Sequence, residues 1–106
     1  GFVSASAPLS GGSFTTKPIR FSGNHLLLNY STSALGGIHV EIQEQGGKPL
    51  PGFSLDDCAE LFGNALQRPV TWNSGADVGA IAGKPILLRF ELKDADLFSL
   101  RFAANR

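Results

Sequence analysis

The sequence predicts an all-β domain, a two-sheet antiparallel β-sandwich of the jelly-roll type. Thirteen Gly and six Pro residues divide the chain into short segments rich in β-branched, aromatic and leucine side chains, and these segments show no long helical period. Two of the segments alternate strictly between apolar and polar residues, as half-buried strands do. A single sheet of so many strands would leave one apolar face in water, so two packed sheets are predicted.

The strand predictions follow the chain from its amino end. A flexible Ser-Gly-Gly-Ser stretch separates the first two strands, and Pro18 places the second at a sheet edge or a bend. The third is an almost continuous apolar run, HLLLNYS, which is typical of a central strand covered on both faces. The predicted strands are 2–7, 14–21, 25–31, 38–44, 68–73, 86–93 and 97–102.

In the two alternating segments, 38–44 and 86–93, the even positions up to Ile42 and Leu92 are apolar and the odd positions are mostly polar. Asp94-Ala95-Asp96 then predicts a hairpin turn that leads into residues 97–102. If the two segments lie in one sheet, their outward residues form a polar face, most simply explained by cross-strand ion pairs. That outward set is His39, Glu41, Gln43, Arg89 and Glu91.

Shaped loops are predicted between these strands. The Pro-Leu-Pro-Gly segment at 49–52 cannot pair regularly, because two of its residues lack an N–H group. Ser54 is a predicted N-cap of a short helical turn that Gly63 ends. Residues 77–82 predict a turn or a single helical turn.

The length and composition limit the chain to one domain. Its 106 residues, 42% of them hydrophobic and 17% charged, suit a single core over residues 1–106. Nine Lys and Arg balance nine Asp and Glu, so no net field would attract nucleic acid or an anionic membrane. No apolar run reaches the roughly 20 residues of a transmembrane helix. Neither nucleic acid nor a membrane is predicted as a partner.

The sequence contains no common catalytic motif, so an enzyme is not predicted. Cys58 is the only cysteine, which excludes an internal disulfide and a cysteine-based zinc cage. The pairs Asp56/Asp57 and Asp94/Asp96 could act as glycosidic acid and base or bind calcium. Turn and capping roles explain both pairs more simply. No cofactor is predicted, and a structural calcium ion stays open.

Trp72 and Tyr30 combine an aromatic face with a polar handle, which suits stacking on a sugar ring while bonding its hydroxyls. Trp72 shares a strand face with Val70, which favours the core, but it adjoins the Asn73-Ser74-Gly75 loop, which favours a ligand. The pattern leaves both interpretations open. Tyr30 fits the core better, and the eight Phe residues are predicted to pack.

Two long segments of the chain resemble one domain family. They are FTTKPIRFSGNHLLLNYSTSALGGIHVEIQEQGGKPLPGFSLDDC and TWNSGADVGAIAGKPILLRFELKDADLFSLRF, in which LNYSTS, HVEIQE, GKPLPGFSLDDC and KDADLFSLRF are the most specific parts. The chain is similar to the carboxy-terminal β-sandwich of bacterial glycoside-hydrolase-like proteins, where such a domain follows a five-bladed propeller. The resemblance implies an extracellular or periplasmic location and a linked glycoside hydrolase domain. It implies no catalytic residue here, and only Asp56, Asp57 and Trp72 transfer, as matched positions of unknown role.

Together these observations predict a non-catalytic carbohydrate-binding module for a plant or microbial polysaccharide of the β-glucan type. Trp72 is the leading predicted contact and Tyr30 the second; the full set is Trp72, Tyr30, Asn73, Asp56, Asp57, His39 and Gln43. The alternative is a structural domain that buttresses a neighbouring propeller through an exposed face, such as Leu87 with Arg89. A small glycosidase is a third possibility, and it would need two convergent carboxylates in a groove.

Overall fold

The computed structural model describes residues 5–7 and 11–104, which are mostly β structure. The strands are β1 (Ala5–Ala7), β2 (Gly12–Thr15), β3 (His25–Glu44), β4 (Asn64–Pro69) and β5 (Ile86–Ala103). They form one antiparallel sheet in the order β1-β5-β3-β4, and β2 also pairs with β5. The predicted all-β class is confirmed. The described strands are not divided into two hydrogen-bonded sheets, so the jelly-roll assignment stays a prediction.

β3 and β5 are long strands, and each joins two segments that were predicted separately. β3 has 20 residues and β5 has 18, and both halves of β5 pair with β3. The predicted hairpin at Asp94-Ala95-Asp96 is therefore wrong. A straight strand of the length of β3 would span roughly 66 Å. The longest dimension of the molecule is 34 Å, so the sheet must fold over on itself.

The sheet bends where the pairing of β3 with β5 is interrupted. Thr32 pairs with Ala95 and Gly37 with Lys93, so residues 33–36 lie opposite Asp94 alone. Asp94 has a φ of 44°, a left-handed conformation that is common at bulges and turns. Gly36 is needed at this point, because a Cβ atom there would overlap the backbone oxygens of β5.

The interruption divides the sheet into two halves that share β3 and β5. In the first half, residues 25–32 and 95–103 are flanked by β4 and β1. In the second half, residues 37–44 and 86–93 are flanked by β2 and by the irregular segment 48–61. The buried side chains of both halves belong to one hydrophobic cluster, so the halves pack against each other.

The loops and strand ends differ from the sequence predictions in several places. Residues 54–57 form a hydrogen-bonded turn, in which the Asp57 N–H donates to the Ser54 carbonyl at 3.1 Å, and not the predicted helical turn. Gly79–Ile81 is a 3-10 helix, which confirms the helical turn predicted within 77–82. The strand predicted at 68–73 lies at Asn64–Pro69 instead. Within the described residues, no helix is long and apolar enough to cross a membrane.

The second predicted strand is shortened, and the first lies partly outside the described residues. Of the segment 14–21, only its start belongs to β2, while Ile19 forms an isolated bridge with Ile86. Of the segment 2–7, residues 2–4 lie outside the described part of the chain, and the rest is β1.

Candidate functional site

Trp72, the leading sugar contact predicted from the sequence, lies in the core. Its side chain is 3% exposed and packs edge-on against Phe53, with ring centroids 5.2 Å apart. The indole Nε1 donates a hydrogen bond to the Val40 carbonyl at 3.0 Å. Both the ring and its polar handle are used inside the protein, so the stacking role predicted for Trp72 is corrected to a packing role.

Trp72 is buried because it bonds the outer edge of β3 in the second half of the sheet. Along residues 37–44 of β3, the backbone groups that point away from β5 need partners. Most of them bond the backbone of segment 48–61. At Val40 the partners are two side chains and not backbone groups. The Val40 N–H donates to the Cys58 sulfur at 3.4 Å, and the Val40 carbonyl accepts from the Trp72 indole. The single Trp and the single Cys therefore complete the edge of the sheet.

Cys58 is a free thiol inside this edge. It is 7% exposed, and its Sγ also donates to the Ala59 carbonyl at 3.4 Å. Burial raises the pKa of the Cys58 thiol, and the bond from the Val40 N–H opposes that rise. A buried, protonated thiol is a weak nucleophile, so Cys58 has a packing role here.

Tyr30, the second predicted contact, is also a core residue. Its side chain is 1% exposed, and its hydroxyl donates to the Phe62 carbonyl at 3.3 Å. The role as a sugar contact is therefore corrected, and the core placement that the sequence favoured holds.

Asp57 and Asn73 are tied to each other and to the turn at 54–57. Asp57 accepts from the Ser54 hydroxyl at 2.9 Å and from the Asn73 side-chain amide at 3.1 Å. The Asn73 backbone N–H donates to the Asp57 carbonyl at 2.9 Å. The turn role favoured for Asp57 is confirmed, because both of its carboxylate oxygens serve these local bonds.

His39 and Asp56 are the two predicted contacts that the structure brings together at the surface. His39 lies opposite Glu91 in the pairing of β3 with β5. A shallow hollow of about 320 Å³ is lined by His39, Leu55, Asp56, Cys58 and Glu91. A second hollow of about 310 Å³ lies on the β2 side of Glu91. These volumes are at the lower end of the range for ligand pockets, roughly 300–1,000 Å³.

Gln43, the last predicted contact, is buried at 7% exposure. Its amide nitrogen donates to Glu41 at 2.7 Å, and Glu41 also accepts from the Leu55 N–H at 3.2 Å. The pairing of β3 with β5 confirms the predicted polar face, but the loop around Leu55 covers its Glu41–Gln43 end. Gln43 therefore positions Glu41, and its role as a sugar contact is corrected.

The first half of the sheet carries an arrangement at Asn29 that the sequence did not predict. The register of β3 with β4 shifts between Leu28 and Tyr30, and the register with β5 shifts between Asn29 and Tyr30. The shift between β3 and β5 leaves Phe98 without a partner in the ladder. At the shift between β3 and β4, Gln67 has a φ of 55°. Two β-bulges therefore flank Asn29. Bulges commonly re-aim side chains near functional sites.

The Asn29 side chain joins these two bulges. Its carbonyl oxygen accepts from the Gln67 backbone N–H at 2.6 Å, and its amide nitrogen donates to the Ser99 hydroxyl at 2.6 Å. The Gln67 side-chain oxygen in turn accepts from Arg101 Nε at 2.6 Å. We call these four residues from three strands the Asn29 network.

Two exposed apolar side chains flank the Asn29 network. Phe98 is 49% exposed and directly precedes Ser99, while Leu66 is 83% exposed and directly precedes Gln67. We call Phe98, Leu66 and the Asn29 network the bulge face. It is a place where an accessible aromatic ring adjoins polar groups that are already held in position.

The burial pattern along β5 marks one of these bulges. Buried residues of β5 keep even numbers up to Leu92, change to odd numbers at Ala95 and Leu97, and return to even at Leu100. Each change of parity marks an interruption of the two-residue period. The second change, between Leu97 and Leu100, points to the bulge at Phe98.

In the part of the chain that the structure describes, no group of three or more His, Cys, Asp or Glu side chains could hold a metal ion. Comparison of the chain with family models, with curated proteins and with solved structures gives no match. The resemblance to glycoside-hydrolase-associated domains stays a prediction, and the function is inferred from geometry.

Proposed function

We propose that this chain is a non-catalytic domain that binds a polysaccharide at the bulge face. The observation that carries the proposal is the exposed Phe98 ring beside the Asn29 network. A sugar ring offers an apolar C–H face and a rim of hydroxyl groups. Phe98 suits the apolar face, and the network suits the hydroxyl rim.

The Asn29 network lowers the entropic cost of binding. Immobilising a polar side chain at an interface costs about 0.5–1.5 kcal/mol. Here each side chain of the network is already bonded to another, so part of that cost is met in folding. The Gln67 amide nitrogen and the terminal nitrogens of Arg101 have no protein partner among the described residues, and they can donate to sugar hydroxyls.

One exposed ring and a few hydrogen bonds predict weak binding, micromolar or weaker. Weak binding is useful to a domain tethered to an enzyme, because the tether raises the effective concentration of substrate. The proposal therefore includes a secreted protein with a linked glycoside hydrolase domain and a β-glucan type of ligand. The two halves of the folded sheet would be the layers of the predicted jelly-roll sandwich.

Pull-down by insoluble β-glucan tests the proposal. Phe98→Ala should abolish retention, because it removes the stacking ring. Phe62→Ala is the matched control, since Phe62 is a second exposed phenylalanine, at 66%, outside the bulge face. Full retention of the Phe98→Ala protein contradicts the proposed contact. If a His39→Ala/Asp56→Ala protein loses retention instead, the site is the hollow at those residues.

A structural domain is the second candidate, favoured by exposed apolar residues at the bend. Leu35 is 74% and Phe62 66% exposed, and the segments that carry them are joined by hydrogen bonds between Thr32 and Gly63. Leu87 and Arg89, the docking face suggested by the sequence, are only half-exposed. A buttress would bind no glycan on an array, and a Leu35→Ser/Phe62→Ser protein would no longer stabilise a neighbouring propeller.

The third candidate, a small glycosidase, would need two carboxylates in one groove. Asp56 and Glu91 line the same hollow, so two carboxylates do share one depression. The hollow is shallow, and none of its lining residues is a Phe, Tyr or Trp on which a sugar ring could stack. We expect no release of reducing sugar by the purified domain, and release that Glu91→Gln abolishes would contradict the non-catalytic assignment.

A further inference from the structure

We infer that the bulge face prefers polysaccharides that contain uronic acid units, and that Arg101 recognises their carboxylates. The inference rests on the proposed function and narrows the ligand from polysaccharides in general to anionic ones. Arg101 is exposed, and its guanidinium donates through Nε to the Gln67 side chain at 2.6 Å. The two terminal nitrogens have no partner among residues 5–7 and 11–104. Ser99 and Arg101 lie two residues apart on β5, so their side chains share one face of the sheet.

The Asn29 network orients this guanidinium through one hydrogen bond from its Nε. Asn29 holds the backbone of Gln67, and the Gln67 side chain holds Arg101. A guanidinium that is fixed at Nε keeps a planar pair of N–H donors on its outer edge. Such a pair binds the two oxygens of a carboxylate through parallel hydrogen bonds, which are stronger than bonds to neutral hydroxyls.

The other charged groups on this side of the sheet do not oppose an anionic ligand. Arg101 lies opposite Leu27, whereas Asp96 lies opposite Ser31, which is roughly 13 Å further along the strand. That separation exceeds the Debye length of about 8 Å at physiological ionic strength, so the repulsion is largely screened. His25, two residues before Leu27 on the same side of β3, adds an imidazole and no carboxylate.

The formal net charge of the chain is zero, so the chain as a whole does not attract an anionic glycan. A preference made by a local contact is sensitive to a single side chain, whereas one made by the charge of the region is not. Arg68 supplies a matched control. It is exposed and close to Gln67 along the chain, but it pairs with the core residue Leu28, so its side chain starts from the opposite side of the sheet.

The test compares two β-linked hexasaccharides, one of glucuronate and one of glucose, by calorimetric titration of the full chain. We expect the glucuronate form to bind about fivefold more tightly, the effect of one exposed bidentate ion pair. Arg101→Gln should remove the preference, and Arg68→Gln should keep it. Arg101→Lys should retain only part of it, because an ammonium group cannot form the two parallel bonds.

The outcomes separate this inference from the proposed function. Equal affinity for the two hexasaccharides, or a preference that survives Arg101→Gln, overturns the role of Arg101 while binding itself still supports a glycan-binding domain. A preference reduced equally by Arg101→Gln and Arg68→Gln shows a general charge effect and also overturns it. Failure to bind either hexasaccharide or insoluble β-glucan overturns the proposed function and the inference together.

Discussion

Replacing Trp72 with Phe separates a packing role from a ligand role at this position. The substitution keeps an aromatic ring but removes the indole N–H that bonds the Val40 carbonyl. A buried carbonyl left without a partner costs about 1–3 kcal/mol, and the smaller ring leaves a cavity that adds to the loss. We expect the free energy of unfolding to fall by about 2–4 kcal/mol in all.

Urea denaturation followed by circular dichroism measures this change, and a thermal scan should show a decrease in Tm of at least roughly 10 °C. Tyr30→Phe is the control, because it removes one polar atom from a buried ring without changing the ring size. Its bond to the Phe62 carbonyl is longer, at 3.3 Å, so about 1 kcal/mol is expected. A Trp72→Phe protein that keeps full stability but binds glycan less tightly would contradict the packing role of Trp72.

Two further predictions concern Cys58 and Asn29. Burial raises the pKa of Cys58 above its ordinary value of 9.0. As the pH rises above that value, the thiol of the unfolded chain loses its proton first, so the folded state is destabilised. Urea midpoints measured from pH 8 upward should fall for the wild type, and an equal fall in Cys58→Ala would contradict the raised pKa of the buried thiol. Asn29→Ala leaves the bonds to Gln67 and Ser99 unmade, so it should lower the free energy of unfolding by about 1–3 kcal/mol and also weaken glycan binding. Asn64→Ala, an exposed change at the other end of β4, should leave binding intact, and equal weakening by both changes would exclude a specific role for the network.

The alternation of residues was a reliable guide to which apolar side chains are buried, whereas Glu41 and Gln43 on the opposite face are buried as well. In 38–42 and 86–92, the even-numbered residues are in the core, because the two-residue period of a strand is a local property of the backbone. The same pattern placed His39 and Glu91 on one face, and the structure pairs them. These parts of the candidate site could be predicted without knowing the fold.

The direction of the chain at 94–96 could not be obtained in the same way. Asp94 adopts a positive φ, and both a hairpin turn and a bulge accept an Asp in that conformation. The difference lies in β3, where Gly36 allows the backbone of β5 to approach closely. Because Gly36 is far from Asp94 in sequence, the local residues fit a hairpin and a continuous strand equally well.

The sequence by itself determined an all-β chain without an internal disulfide, and which face of each regular strand is apolar, because composition and period are local quantities. The tertiary structure decided what those strands form and which rings a ligand can reach. Trp72 is buried because the edge of β3 at Val40 needs a donor, and Phe98 is exposed because β5 has one residue more than β3 beside Asn29. Both facts depend on contacts between distant segments, which a single strand pattern does not contain.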